Sequence, residues 1–304
     1  MASDCIPILG LHHVTAIAGD PRRNDAFWTR TLGLRRVKKT VNFDDPGTYH
    51  LYFGDRLGRP GSLWTTFPHP RARPRQPGTP EVARTTLAIP PGSLARWRRR
   101  LADSGIAAEQ RDERLLFDDP DGTNLALAEA EVPPEFEGSD DDAPRCIESV
   151  ELRSLRPDET GRLLVEVFGF ARGDRGLYTC GDGAASRRVR VTGGDGGGAP
   201  GLGAGAVHHV AFRVAGDAEQ LAALDRLHAA GLRPTPVQDR TYFHSIYFRE
   251  PGGVLFEIAT DTPGFTADEP PESLGRALQL PSGVERRRAE LEASLAPLDG
   301  EDER

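Results

Sequence analysis

Apolar and polar residues alternate along four short segments that begin alike: LHHVTAI at 11–17, RTTLAI at 84–89, IESVELRS at 147–154 and VHHVAFRV at 207–214. Strand side chains change face at every residue, so this alternation predicts strands with one face buried. Each segment leads into a stretch whose apolar residues recur at spacings of three and four, which predicts amphipathic helices over 21–33, 93–104, 157–168 and 217–230. Further strand-like runs follow each helix. They are RRVKKTV, YHLYFGD and GSLWTTF in the first unit, RLLFDDP and NLALAEA in the second, GLYTC and SRRVRVT in the third, and YFHSIYFRE and VLFEIATD in the fourth. A unit of strand, helix and about three strands thus repeats four times, and such repetition decides the fold class more firmly than any single strand. The expected fold is α+β, with four βαβββ-type modules paired into two domains.

The acidic, proline-bearing segment EAEVPPEFEGSDDDAPR at 129–145 is poor in large apolar residues and reads as a solvated linker. It divides the chain into an N-terminal domain at 1–130 and a C-terminal domain at 147–264, two modules each, with the linker at 131–146. Residues 265–304 form a tail with one short helix in LPSGVERRRAELEASLAPL and a terminal GEDER expected to fray. The glycine-rich TGGDGGGAPGLGAG at 192–205 lacks the lysine and the serine or threonine of a phosphate-binding loop, and so reads as a flexible connection.

Composition narrows the partners. Against 38 basic residues, of which Lys38 and Lys39 are the lysines, stand 46 acidic ones, and the net charge of −8 argues against nucleic acid or an anionic membrane. Arg98, Arg99 and Arg100 read as the solvated face of a helix. The N-terminal stretch has no charged-then-apolar signal pattern, and no apolar run approaches the roughly 18 residues of a membrane span. Cys5, Cys146 and Cys180 suggest neither a disulfide framework nor a zinc motif, which fits a reducing cytoplasm.

The candidate chemistry lies in the two histidine pairs and in Glu257. Strand phase lets one histidine of each pair point into a given cavity; His13 and His209 are chosen because each precedes the same short apolar run, and Thr15 then falls on the face of His13. Glu257 stands among Val254, Leu255, Phe256 and Ile258, where an unpaired carboxylate is costly to bury and a cation would offset that cost. Aligning the repeats puts Thr65 and Ala126 where the fourth unit has Glu257, and Thr86 and Ser149 where the outer units have His13 and His209. One site is therefore expected, where the first and fourth units meet. Its two imidazoles and one carboxylate leave coordination positions open, a pattern associated with non-haem Fe(II). His50 is a further ligand candidate on spacing alone, His69 and His244 receive no role, and Trp64, Phe243 and Phe53 are candidates to line the pocket.

LHHVTAI, TYHLYFGDRLGRPGSLWTTFP, VHHVAFRV, DRTYFHSIYFREPGGVLFEIATD and LPSGVERRRAELEASLAPL together resemble the hydroquinone-type ring-cleaving extradiol dioxygenases of the vicinal oxygen chelate (glyoxalase/bleomycin resistance/dioxygenase) superfamily. The resemblance spans nearly the whole chain. It implies Fe(II), with Mn(II) sharing its donor preferences, held by His13, His209 and Glu257. It also implies cleavage of a para-diol with O2 between a hydroxylated carbon and its neighbour, giving a ring-opened acid. The matching pocket positions are His12, Thr15, His208, Arg240 and Tyr247, with Tyr247 and Arg240 placed to meet substrate oxygen or developing negative charge, and His12 or His208 to take a phenolic proton. Family members are often assemblies, which implies a homo-oligomer. The same fold carries glyoxalase-like isomerases and thiol transferases, which commonly keep a fourth protein ligand, and binding or resistance modules, which usually lose the ligands. The missing carboxylate at Thr65 counts against the first, and the retained ligands against the second.

Overall fold

The computed structural model describes residues 5–138, 140–182, 187–194 and 198–298. In the first unit the strands are β1 (Gly10–Ala18), β2 (Arg35–Val41), β3 (Tyr49–Gly54) and β4 (Leu63–Pro68), and in the second β5 (Glu81–Ile89), β6 (Ala108–Arg111), β7 (Arg114–Asp118) and β8 (Asn124–Glu129). The third unit has β9 (Cys146–Ser154), β10 (Ala171–Arg172), β11 (Leu177–Thr179) and β12 (Arg188–Gly193), and the fourth β13 (Val207–Val214), β14 (Gln238–Asp239), β15 (Phe243–Arg249) and β16 (Leu255–Pro263). Helices α1 (Pro21–Ala26), α2 (Leu94–Asp103), α3 (Pro157–Arg162) and α4 (Asp217–Ala229) follow the first strand of each unit, and α5 (Arg288–Ser294) lies in the tail.

The helices expected at 21–33 and 157–168 are shorter α-helices that widen into π-helical turns at Phe27–Thr31 and Leu163–Val167. Asp20 caps α1 by accepting the Arg23 amide at 2.9 Å, and Pro21 occupies the first turn, where its missing N–H costs nothing. The π turn rotates Phe27 and Trp28 inward, and Trp28 stacks on Trp64 with ring centroids 4.6 Å apart. The β6 strand was not expected, because AEQR is largely exposed and carries no apolar alternation.

Two eight-stranded sheets result, with strand orders β14-β15-β16-β13-β1-β4-β3-β2 and β10-β11-β12-β9-β5-β8-β7-β6. Hydrogen bonding thus joins the first unit to the fourth and the second to the third, rather than following the boundaries at 130 and 147. In each sheet the first strands of two units pair antiparallel at the centre, β1 with β13 and β5 with β9. The segment between the halves is not merely solvated: Phe136 and Ala143 are buried, and the Asp142 carbonyl accepts from Trp97 Nε1 at 2.8 Å. Phe136 packs on Ala88 and Cys146, and the Trp97 indole N–H ties this acidic stretch to α2.

The glycine-rich connection is also docked where it is described. Pro74 bridges to Ala204 and Gln76 to Gly201, and a Cβ at Gly203 would lie 2.3 Å from the Arg73 carbonyl oxygen. Glycine is there because backbone meets backbone; residues 195–197 lie outside the described residues, as does the terminal GEDER. The tail closes one side of the first sheet. Phe265 and Leu274 pack with Val37, Tyr52, Leu63 and Phe243, Leu278 bridges to Lys39, and the fully buried Lys38 ammonium meets Asp268 at 2.6 Å and, closer still, Glu269.

Candidate metal centre

The central β1–β13 ladder has two register shifts, and each falls on a histidine. Leu11 pairs with Phe212 and His13 with Ala211, leaving His12 as the extra residue; Thr15 pairs with His209 and Ala16 with Val207, leaving His208. A bulge residue escapes strict alternation and re-aims its side chain. His12 and His208 therefore lie against their neighbours instead of on the opposite face, with Nδ1–Nδ1 distances of 2.9 Å from His12 to His13 and 2.8 Å from His208 to His209.

Glu257 reaches the same point from β16, whose parallel pairing sets Glu257 beside Ala211, two residues past His209. The ligand atoms of His13, His209 and Glu257 all lie within 4.8 Å of one another, and all three residues are buried. Nε2 of His13 and of His209 are 3.1 Å apart and stand 3.2 and 2.9 Å from Glu257 Oε2. Three electron-pair donors converging away from water require a cation or protons between them. Burial raises the Glu257 carboxyl, but the two imidazoles outweigh it and hold that group well below the usual carboxylate range. Its other oxygen accepts from Ser245 Oγ at 2.5 Å. The donor set of two imidazoles and one carboxylate fits a divalent transition metal.

The bulge histidines fix the ligand tautomers. When Nε2 of His13 faces a cation, its proton resides on Nδ1 and is donated to His12 Nδ1; His12 then donates from Nε2 to the Thr260 carbonyl at 3.2 Å. His209 donates in the same way to His208 Nδ1. This chain needs His12 and His208 neutral. Burial, aided by His13, pushes His12 well below the ordinary histidine value, and burial, aided by His209, brings His208 down to about 4.

The position matching Glu257 in the first unit carries no charge. Thr65 pairs with Thr15 in the β1–β4 register, as Glu257 does with Ala211, and its hydroxyl contacts Thr15 Oγ1 at 2.7 Å and His50 Nε2 at 2.9 Å. In the inner sheet the same registers set Thr86 beside Ala126 and Glu151 beside Arg190. The counterparts of His13 and His209 are therefore Arg84 and Ser149. The expected match of Thr86 to His13 is two residues out, because Arg84 follows the inner bulge at Ala83 just as His13 follows the bulge at His12; Arg84 pairs with Glu151 at 3.6 Å.

A small cavity beside the ligands is lined by residues that include His13, His209, His50, Tyr52, Arg240 and Tyr247, with Phe243 and Phe67 among its apolar members. Thr15, His12 and His208 stand outside that lining. Arg240 reaches Asp44 at 3.2 Å, and its guanidinium lies 5.7 Å from the Phe43 ring centroid and 5.3 Å from that of Tyr247. Burial raises the Tyr247 phenol above its ordinary value, so it is a neutral donor. Of the aromatic candidates, Phe243 faces the cavity, whereas Trp64 and Phe53 stack on Trp28 in the core. They adjoin Thr65 and Tyr52 in sequence and so point to the opposite face. His244 pairs with Asp217 at the surface. Ser245, Tyr52, Phe43 and Asp44 went unmarked in the sequence, where nothing distinguishes them from ordinary strand and loop residues.

The chain belongs to the glyoxalase/bleomycin resistance protein/dioxygenase superfamily, whose family model matches residues 10–258. It is 40% identical over 310 residues to MhqO of Bacillus subtilis (strain 168), named provisionally as a ring-cleaving dioxygenase, a match covering 96% of this chain and 97% of the relative. It is 35% identical to the chlorohydroquinone/hydroquinone 1,2-dioxygenase of Sphingobium indicum over 93% of this chain and 94% of that one. A crystal structure from Bacillus subtilis, titled provisionally as a dioxygenase, superposes with a TM-score of 0.89 at 38% identity, covering 96% of this chain and 98% of that one. No helix among the described residues is long and apolar enough to cross a membrane.

Proposed function

We propose that this protein is an Fe(II)-dependent ring-cleaving dioxygenase that opens hydroquinone-type para-diols with O2 to a ring-opened acid, with Mn(II) as the alternative metal and a homo-oligomer as its assembly. The observation that carries this reading is the convergence of His13, His209 and Glu257 beside a buried cavity, with neutral Thr65 in place of a fourth ligand. The names of the relatives supply the reaction class and the hydroquinone substrate. A redox-active divalent metal held there supplies a common binding point for a ring oxygen and for dioxygen, together with the electrons that activate the latter.

The chain's own residues do the rest. His12 and His208 hold the ligand imidazoles in one tautomer and orientation, a positioning role that occupies their Nδ1 atoms. Thr15 holds Thr65. Arg240, fixed by Asp44 and by the Tyr247 ring, places a permanent positive charge where a ring-derived oxyanion develops. Tyr247, beside His209 with ring centroids 5.6 Å apart, offers a hydroxyl to substrate oxygen. The aromatic wall keeps bulk water from the reacting atoms.

Replacing Glu257 with alanine tests the reading. Bound iron and oxygen uptake with hydroquinone should both fall to background, because two buried imidazoles alone form a weak site. Unchanged iron and unchanged uptake would refute it.

A further inference from the structure

The first unit carries an arm built like the one that holds Glu257. Tyr247 lies across the β15–β16 ladder from Glu257, and Tyr52 lies across the β3–β4 ladder from Thr65. Two residues earlier on the same faces, Ser245 bonds Glu257 and His50 bonds Thr65. Tyr52, His50 and Thr65 are thus the counterparts of Tyr247, Ser245 and Glu257. Where the fourth unit has a carboxylate, the first has an uncharged relay: Tyr52 Oη contacts His50 Nδ1 at 2.8 Å, His50 Nε2 contacts Thr65 Oγ1 at 2.9 Å, and Thr65 Oγ1 contacts Thr15 Oγ1 at 2.7 Å.

The relay is buried, with Tyr52, Thr65 and Thr15 at 0% exposure and His50 at 7%, yet His50 and Tyr52 line the cavity. Around it are the rings of Phe67, 4.4 Å from His50, and Phe265, 5.0 Å from Tyr52. An apolar wall does not need a buried imidazole and three hydroxyls for its packing, since each such group costs free energy unless it is bonded. The relay can also run in either direction. Hydroxyls donate and accept, and a neutral imidazole carries one donor and one acceptor, so the Tyr52 hydroxyl either donates to His50 or accepts from it and donates into the cavity. Two phenolic arms facing one cavity suit a ring that carries two oxygens.

We propose that Tyr52, set by His50 and Thr65, hydrogen-bonds the second ring oxygen of the substrate and so selects diols over monophenols. This rests on the ring-cleaving reading above. Tyr52 is then a specificity-determining residue, and His50 and Thr65 are positioning residues that keep its hydroxyl aimed.

The test is the affinity of metal-loaded protein for hydroquinone and for phenol, measured by titration calorimetry without oxygen, in the wild type, Tyr52→Phe, His50→Leu and His50→Gln. The wild type should prefer hydroquinone. Tyr52→Phe should lose about tenfold in hydroquinone affinity and little in phenol affinity, because a site built around a hydroxyl discriminates through that bond. His50→Leu should lose the preference too, while His50→Gln, which keeps a donor and an acceptor, should recover part of it; loss through misfolding would weaken both ligands equally. A Tyr52→Phe protein with the wild-type ratio, or a wild type that binds both ligands alike, overturns the proposal. Oxygen uptake with hydroquinone separates this inference from the reaction. Uptake with an unchanged ratio in Tyr52→Phe sinks the Tyr52 role alone, whereas a Tyr52-dependent preference without uptake keeps the diol wall and sinks the dioxygenase reading.

Discussion

At the scale of single residues, the centre depends on neighbours of the ligands as much as on the ligands. With a cation at Nε2 of His13, the Nδ1 proton of that ring would go to His12, which is held in turn by the Thr260 carbonyl. Removing such an outer partner costs about 10- to 100-fold in metal affinity. His12→Ala should therefore fold and keep all three ligands while losing metal to a competing chelator at about 10- to 100-fold lower concentration; an unchanged affinity would show that the bulge histidine does not orient its neighbour. His13, His209 and Glu257 were legible in the chain because histidine pairs and a carboxylate within an apolar strand are unusual there. His50 and Tyr52 were not, since a polar residue two positions from a tyrosine is common in any strand and their partner Thr65 lies on another one.

At the scale of elements, the alternating pattern located nearly every strand that has a buried face and missed what one residue can do to a ladder. The bulges at His12 and His208 change no composition or average periodicity, yet they turn both side chains toward the ligands. The π turns after α1 and α3 escaped for the same reason, as one extra residue in a helical run leaves its apolar face nearly intact. The loop at 42–48 has a role that only the fold discloses. Its Phe43 and Asp44 meet Arg240 from the fourth unit at the edge of a cavity of about 20 Å3, room for about one water and too little for an aromatic ring. Ring entry therefore moves this clasp. An exposed ion pair is worth about 0.2–1 kcal/mol, so Asp44→Ala should raise the association rate of hydroquinone by about two- to fivefold in oxygen-free stopped flow. A slower or unchanged rate would place the entry path elsewhere.

At the scale of the whole molecule, the four-fold repeat and the meeting of His13, His209 and Glu257 between the first and fourth units were readable from aligned segments. The pairing of sheets was not, because an acidic linker marks a boundary in sequence while the hydrogen bonds that join the outer units come from strands nearly two hundred residues apart, and those that join the inner units cross that same linker. Joining the outer units brings two histidine strands to one ladder, and joining the inner ones leaves a ladder with arginine and serine at those positions. The molecule thus concentrates its donors at one centre, closed by a tail anchored on Lys38 and Lys39. The central claim is that this centre, loaded with Fe(II), splits an aromatic ring with dioxygen. The most direct measurement is mass analysis of the product formed from hydroquinone under isotopically labelled O2 by the iron-reconstituted protein. A ring-opened acid carrying oxygen from the labelled gas, formed only with metal bound, is the predicted result; an intact ring, or a product without label, would contradict it.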